Sequence, residues 1–285
     1  MKRTLILLIT TSFLLGLASC EDVIEVDLPS EDPRLIIDAL IRVDSTQTST
    51  LVTVKVSETN SFFETVPPAN LQQVTMSNLD NPGGKGQVLL EEEPGSGIYS
   101  RLFPTNQLLT DRWFLQVDFE DTFYVANAKL IPTVPLDSVE QGDGILFDEN
   151  DTEVIITFTD SDERDDFYLF DFDFANFLVT EDEFYQGQQF SFSYFYDDQI
   201  EPGDQVEISI MGVDESFYNY MNKLIEQSEG PFGPFETPAI TVRGNIINAS
   251  EIDNNNNSNN TDNPDNFALG YFAIVHEFKE VIVFE

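Results

Sequence analysis

The chain has 285 residues, of which 52 are Asp or Glu and 13 are Lys or Arg, for a net charge of −39. Nucleic acid phosphates and anionic membrane surfaces repel such a chain, so nucleic acid is excluded as an expected partner. A hydrophobic content of 41%, with 25 Phe and 9 Tyr, excludes an acidic disordered polymer, and the length suffices for two ordinary domains.

MKRTLILLITTSFLLGLAS (residues 1–19) opens on Lys2 and Arg3. It continues in an apolar run, Leu5 to Leu17, too short for a stable membrane span. Ala18 and Ser19 then precede Cys20, the single cysteine. The pattern resembles the bacterial lipobox (Leu, small, small, Cys), in which the thiol is diacylated and the preceding peptide removed. It predicts a signal peptide over 1–19, lipidation of Cys20 and attachment to a membrane through the lipid. The alternative, an ordinary secretory signal beside a free thiol, leaves an unpaired cysteine unexplained. Three acyl tails, at about 0.8 kcal/mol per buried CH₂, make such an anchor effectively permanent. Loss of Lys2 and Arg3 with the signal takes the net charge to −41. With Cys20 acylated no disulfide is available, and the core must hold itself together.

Residues 20–33 are acidic, contain two prolines and lack a period, which predicts an extended tether. Glu21 and Asp22 resemble the export signal that carries Bacteroidota lipoproteins to the outer face of the outer membrane; a plain solvated spacer is the alternative. The expected location is therefore the outer membrane, with its face left open.

From residue 34 the period is two. In RLIIDALIRV, Leu35, Ile37, Ala39, Ile41 and Val43 share one face, the signature of a half-buried strand. Val52, Val54 and Val56 repeat it, NLDNPGGKG (78–86) is a turn, and Trp113, Leu115, Val117 and Phe119 align in RWFLQVDF. The spacing predicts an antiparallel β-sandwich of immunoglobulin or transthyretin type over 34–131. The prolines of IPTVP predict a linker at 132–135.

A second β domain is expected over 136–285. EVIITFT aligns Val154, Ile156 and Phe158; FYLFDFDFANF aligns Tyr168, Phe170, Phe172 and Phe174; QFSFSYFYDD aligns Phe190, Phe192, Tyr194 and Tyr196. Alternating aromatics of this kind predict a core, with an aromatic ligand platform as the sharper alternative. One amphipathic helix is predicted over 215–229. Asp214 is its cap, Phe217, Met221, Leu224 and Ile225 form its stripe, and Gly230-Pro231 stops it. The helix is expected to cover a sheet edge or end. The Asn-rich stretch 252–266 predicts a disordered loop. FALGYFAIVHEFKEVIVFE then predicts a final pair of strands.

No catalytic set can be assembled. His276 is the single histidine, Ser96 sits between glycines but outside a Gly-X-Ser-X-Gly motif, and no phosphate-cradling glycine loop follows a strand. The expectation is a protein that is not an enzyme and has no cofactor, with a carboxylate-based hydrolase as an alternative that no single acidic pair favours. DSDERDD (160–166) fails as an EF-hand, because Asp165 and Asp171 stand where Gly and Glu are required. A looser calcium turn using Asp160, Asp162 and Asp165 stays open, because clustered oxygen ligands suit a hard cation. In EGPFGPFETP (229–238), Phe232 and Phe235 are either aromatic contacts on a proline-stiffened loop or rings tucked back on the helix.

The lipobox, LIIDALI, GIYS with WFLQV, IEPGDQVEISI before SFYNYMNKL, VRGNI and ALGYF occur in that order along the mature chain. Together they resemble an uncharacterised family of Bacteroidota outer-membrane lipoproteins, a domain of unknown function of the DUF4249 type. VRGNI followed by ALGYF is the most specific part, and the Asn tract between them is a departure. The resemblance implies an accessory or binding role in nutrient uptake beside a TonB-dependent receptor, and it carries over no catalytic residue. A structural or adhesive surface lipoprotein with weak calcium binding is the other reading.

Overall fold

The alternation of LIIDALIRV becomes strand β1, Leu35–Val43, with Leu35, Ile37, Ala39, Ile41 and Val43 buried. The structure, a computed structural model, describes residues 33–61, 64–81, 87–146, 151–196, 200–228, 241–250 and 267–285. The predicted signal peptide, Cys20, nearly all of the tether, Phe232, Phe235 and the loop 252–266 lie outside the described residues.

The described residues form sixteen strands. After β1 come β2 (Ser49–Glu58), β3 (Gln73–Asn78), β4 (Val88–Leu89), β5 (Glu91–Glu93), β6 (Ile98–Pro104), β7 (Arg112–Phe119), β8 (Thr122–Lys129) and β9 (Leu136–Gln141). Then follow β10 (Thr152–Thr159), β11 (Phe167–Asp171), β12 (Phe177–Glu181), β13 (Gln189–Tyr196), β14 (Gln205–Val213), β15 (Ile247–Asn248) and β16 (Leu269–Val283). Two α-helices accompany them, α1 (Thr105–Thr110) and α2 (Glu215–Ser228). The protein is mainly β with open, sandwich-like sheets, as the period-two patterning predicts.

One sheet has eight strands in the order β12-β11-β14-β16-β1-β2-β6-β5, and β13-β10-β9 and β15-β8-β7-β3-β4 form two smaller sheets. The expectation was antiparallel throughout; β1 and β16 instead pair in parallel, from Ile36 opposite Leu269 to Val43 opposite His276.

Two of the three apolar cores draw mainly on opposite sides of the predicted linker. The first gathers Ile37, Ile41, Val54, Trp113 and Leu115 with Phe272 and Ile274 of β16. The second gathers Phe158, Tyr168, Phe170, Phe172, Tyr196, Ile208 and Ile210. The backbone does not divide in the same way: residues 33–285 form one compact unit, where the sequence suggested two domains joined at 132–135. The reason is β16. Its first half pairs with β1 and its second half with β14, from Met211 opposite Glu277 to Gln205 opposite Val283. The expected final pair of strands is thus a single 15-residue strand shared by both cores. The linker itself is part of the seam. Ile131 donates its N–H to the Ile274 carbonyl and accepts from the His276 N–H, and a Cβ on Gly212 would lie 2.0 Å from the Pro132 carbonyl oxygen.

VRGNI and ALGYF meet at the start of β16. A Cβ on Gly244 would lie 1.7 Å from the Gly270 carbonyl oxygen, and one on Gly270 would lie 2.0 Å from that of Ile37. The Asn245 carboxamide accepts from the Phe272 N–H and donates to the Phe272 carbonyl, so one side chain supplies both bonds of a strand partner.

The aromatic rows pack on each other as a core. Phe170 meets Phe192 edge-on at 5.1 Å, and Phe172 stacks on Tyr194 at 4.0 Å. Phe174 departs from its expected row and is half-exposed, because Asp173, Phe174 and Ala175 take φ of 64°, 50° and 62° and turn the chain into β12. Helix α2 begins as predicted, with the Phe217 N–H donating to Asp214 Oδ1 at 2.7 Å. It lies on the eight-stranded sheet at its β12 edge, with Phe177 and Val179 of that edge strand packed in the same cluster as Leu169, Met211, Val213, Tyr271 and Val275. Its contact comes from Phe217, Tyr218, Tyr220 and Met221; Leu224 and Ile225 of the expected stripe are outside that cluster.

Candidate functional site

Three buried carboxylates, Asp160, Asp166 and Asp182, lie on two loops, 160–166 between β10 and β11 and 182–188 between β12 and β13. Strands β11 and β12 pair antiparallel, with Phe167 opposite Glu181, so the loops leave the sheet side by side. Buried carboxylates then bind one loop to the other. Asp160 accepts from the Tyr168 hydroxyl through Oδ1 and from the Gly187 N–H at 2.7 Å through Oδ2. Asp182 Oδ2 accepts from the Asp166 N–H at 2.8 Å, and the Asp182 N–H donates to the Asp166 carbonyl at 3.2 Å. Gly187, at φ 67°, lets the strands of loop approach: a Cβ there would lie 2.7 Å from that of Asp162.

The three aspartates predicted for calcium do not converge. Asp160 is buried with both oxygens committed to donors, whereas Asp162 and Asp165 are exposed. Asp165 accepts from Gln186 Nε2 at 3.2 Å. Among the described residues no group of three His, Cys, Asp or Glu side chains is placed to hold a metal ion.

Electrostatics make this cluster a staple. The Tyr168 hydroxyl lies 3.1 Å from Asp166 Oδ2 as well as against Asp160, so one phenolic proton faces two carboxyl groups. Burial pushes the Asp166 carboxyl above the usual range, against the opposing pull of the Arg164 guanidinium, whose Nε donates to it at 2.5 Å. Burial, then the bond to Asp160, pushes the Tyr168 phenol far up, and burial takes Tyr185 to about 12.

The staple displays one side chain. Phe184 is 85% exposed on a single 3-10 turn, Asp182–Phe184, between two buried residues, Asp182 and Tyr185. The Tyr185 ring stacks on Phe190 at 4.5 Å and its hydroxyl meets Thr180 Oγ1 at 3.0 Å. Exposed Asp162, Glu163, Asp165 and Glu183 belong to the same two loops. Sequence periodicity misses Phe184 because EDEFYQGQ has none. The available signal is a phenylalanine isolated in an acidic run that ends in glycine.

Elsewhere, His276 Nε2 lies 3.0 Å from Ser45 Oγ, but the nearby Asp44 carboxylate is bonded to Thr46. Among the described residues no carboxylate is bonded to the His276 ring in the way that orients a catalytic imidazole. A cavity of about 30 Å³ bordered by Asp214, Phe217, Asn245 and Tyr271 has room for about one water. Among the described residues no helix is long and apolar enough to cross a membrane.

These features define a class: a mainly β, sandwich-like protein with two cores on one shared strand and a carboxylate-stapled pair of display loops. The chain belongs to the family described as Domain of unknown function (DUF4249), whose model matches residues 21–280. No curated protein matches the chain.

Proposed function

We propose that this is a lipid-anchored accessory protein of the outer membrane that docks on a TonB-dependent transporter and assists nutrient uptake. The observation that carries the reading is Phe184. An aromatic ring left in water on a rigid turn loses little entropy on docking, and burying it contributes about 1.5–3 kcal/mol. Acidic neighbours on the same loops suit a partner pocket that is apolar at its base and basic at its rim. The lipobox-like LGLASC supports the anchor, and residues 21–34 reach at most about 50 Å from Cys20 to β1. The order of segments shared with the Bacteroidota lipoprotein family supports the transporter partner.

The test is co-purification from native membranes with two variants. Cys20→Ser is expected to release the protein from the membrane fraction; an unchanged fraction would mean that another segment anchors it. Phe184→Ser is expected to stay membrane-bound, keep its melting temperature, and weaken partner capture by about 2 kcal/mol, roughly thirtyfold. Equal capture of a β-barrel partner by wild type and Phe184→Ser would remove Phe184 from the interface.

A further inference from the structure

We propose that two copies of this chain associate by pairing their β13 strands edge to edge, antiparallel, into one continuous sheet. Strand β13 ends the sheet β13-β10-β9, and among the described residues its backbone pairs with β10 alone. The groups on its open side follow from two bonds just beyond the strand pairings. The Asp160 N–H donates to the Gln188 carbonyl, and the Gly142 N–H donates to that of Glu153. Carried along the ladder, this alternation bonds Phe190, Phe192, Tyr194 and Tyr196 to β10. Gln189, Ser191, Ser193 and Phe195 therefore turn their N–H and carbonyl groups outward, where no described backbone group meets them.

Sheet edges are ordinarily protected by charge, brevity or cover. The other edges here follow that rule: β5 is three glutamates, β9 carries Asp137 and Glu140, β4 and β15 have two residues each, and α2 packs on β12. Strand β13 does not. Its eight residues, QFSFSYFY, hold no charge in a chain of net charge −39. The core is also unfinished at this edge, since Phe190, Phe192 and Tyr194 are half-buried while Val154, Ile156 and Phe158 on β10 are 0% exposed. The strand itself points to a second copy as the occupant. FSFSY (190–194) reads almost the same in both directions, so a two-fold axis through Phe192 sets Ser191 opposite Ser193 of the second copy and ring opposite ring. The same register pairs Gln189 with Phe195 and so uses every outward group of β13. An uncharged strand also lets two acidic chains meet without bringing like charges into contact. The inference is independent of the docking proposed for Phe184.

The experiment uses the mature chain, residues 20–285, carrying Cys20→Ser, so that neither an acyl chain nor a thiol at position 20 joins two copies. Its mass is followed by sedimentation velocity over a range of concentrations at about 0.15 M salt, where charges are screened beyond about 8 Å. The expected result is a monomer–dimer equilibrium whose dissociation constant rises about tenfold or more in Ser191→Pro. The proline removes an outward N–H that the monomer does not use, which an edge strand tolerates, and one exposed hydroxyl bond to Thr157. Ser191→Glu carries the test if the proline variant fails to fold. It keeps the backbone and sets a carboxylate opposite Ser193, whose hydroxyl already donates to Glu153 at 2.5 Å, so it should weaken the dimer to a similar degree. Thiol cross-linking checks the register, because opposed strand residues about 5.5 Å apart at Cα can form a disulfide. A mixture of Ser191→Cys and Ser193→Cys chains should cross-link more than either variant alone. A monomer at every concentration overturns the proposal, even if the edge then takes a strand of another protein. So does a dimer that Ser191→Pro and Ser191→Glu both retain, or cross-linking no greater in the mixture than in the single variants.

Discussion

Gly270→Ala is expected to destabilise the protein by about 4 kcal/mol or more, lowering the melting temperature by roughly 10 °C or more. Two effects add at this position. The backbone sits at φ 94°, where a side chain costs about 1–3 kcal/mol in strain. The new Cβ would also lie 2.0 Å from the Ile37 carbonyl oxygen, a backbone atom that can yield only if β1 and β16 separate. Those two strands are the parallel pair in the middle of the eight-stranded sheet, so the damage reaches the strand shared by both cores. Gly95→Ala is the control. Its φ is 71° but nothing lies within 4 Å of the new Cβ, so strain alone remains, at about 1 kcal/mol. Thermal unfolding by circular dichroism separates the two, and equal losses would mean that the strand contact at Gly270 is not critical.

The second large effect concerns the loop staple and depends on pH. Tyr168→Phe removes a buried hydroxyl that two carboxyl groups face, at a cost of about 1–3 kcal/mol for each donor lost to a buried acceptor. The loss should be greatest at neutral pH, where the Asp166 carboxyl carries charge, and should shrink as that carboxyl protonates. Asp166→Asn should act in the opposite direction. The folded carboxyl of Asp166 titrates above its unfolded value, mainly through burial. Its contribution to stability is therefore complete below the unfolded value and is lost as pH rises through the folded one. The asparagine variant keeps a neutral group at the site, so it should gain stability over wild type from acid to neutral pH, with the difference vanishing at low pH. Unfolding curves between pH 3 and 7 give the sign. A variant that is less stable at neutral pH would show that the Arg164 pair, and not burial, controls this carboxyl.

The features that follow from period and propensity were legible in the sequence. Leu35, Ile37, Ala39, Ile41 and Val43 are buried on one face because a strand alternates, and Asp214 caps α2 because its carboxylate fits the free Phe217 N–H. What was not legible depends on which strands pair. Nothing local in FALGYFAIVHEFKEVIVFE says that its first half will lie parallel to a strand more than two hundred residues earlier in the chain, while its second half pairs with β14. The prolines of IPTVP suggest a linker, and they cannot reveal that Ile131 is bonded into β16. At the candidate site, DSDERDD was legible as an acidic loop. Its direction was not: Asp160 turns inward to Tyr168 and Gly187 because the second loop, twenty residues on, supplies the donor. Phe184 was invisible for the same reason, since only the neighbouring staple makes an aperiodic phenylalanine a fixed one.

The proposed docking of Phe184 on a transporter is tested most directly by placing a photoreactive phenylalanine derivative at position 184 and cross-linking in intact cells. The predicted result is one dominant adduct whose partner, identified by mass spectrometry, is an outer-membrane β-barrel, with no such adduct from the same probe at Leu102, which is exposed on β6. A β-barrel adduct from position 102 but none from 184, or no β-barrel adduct from either, would contradict it.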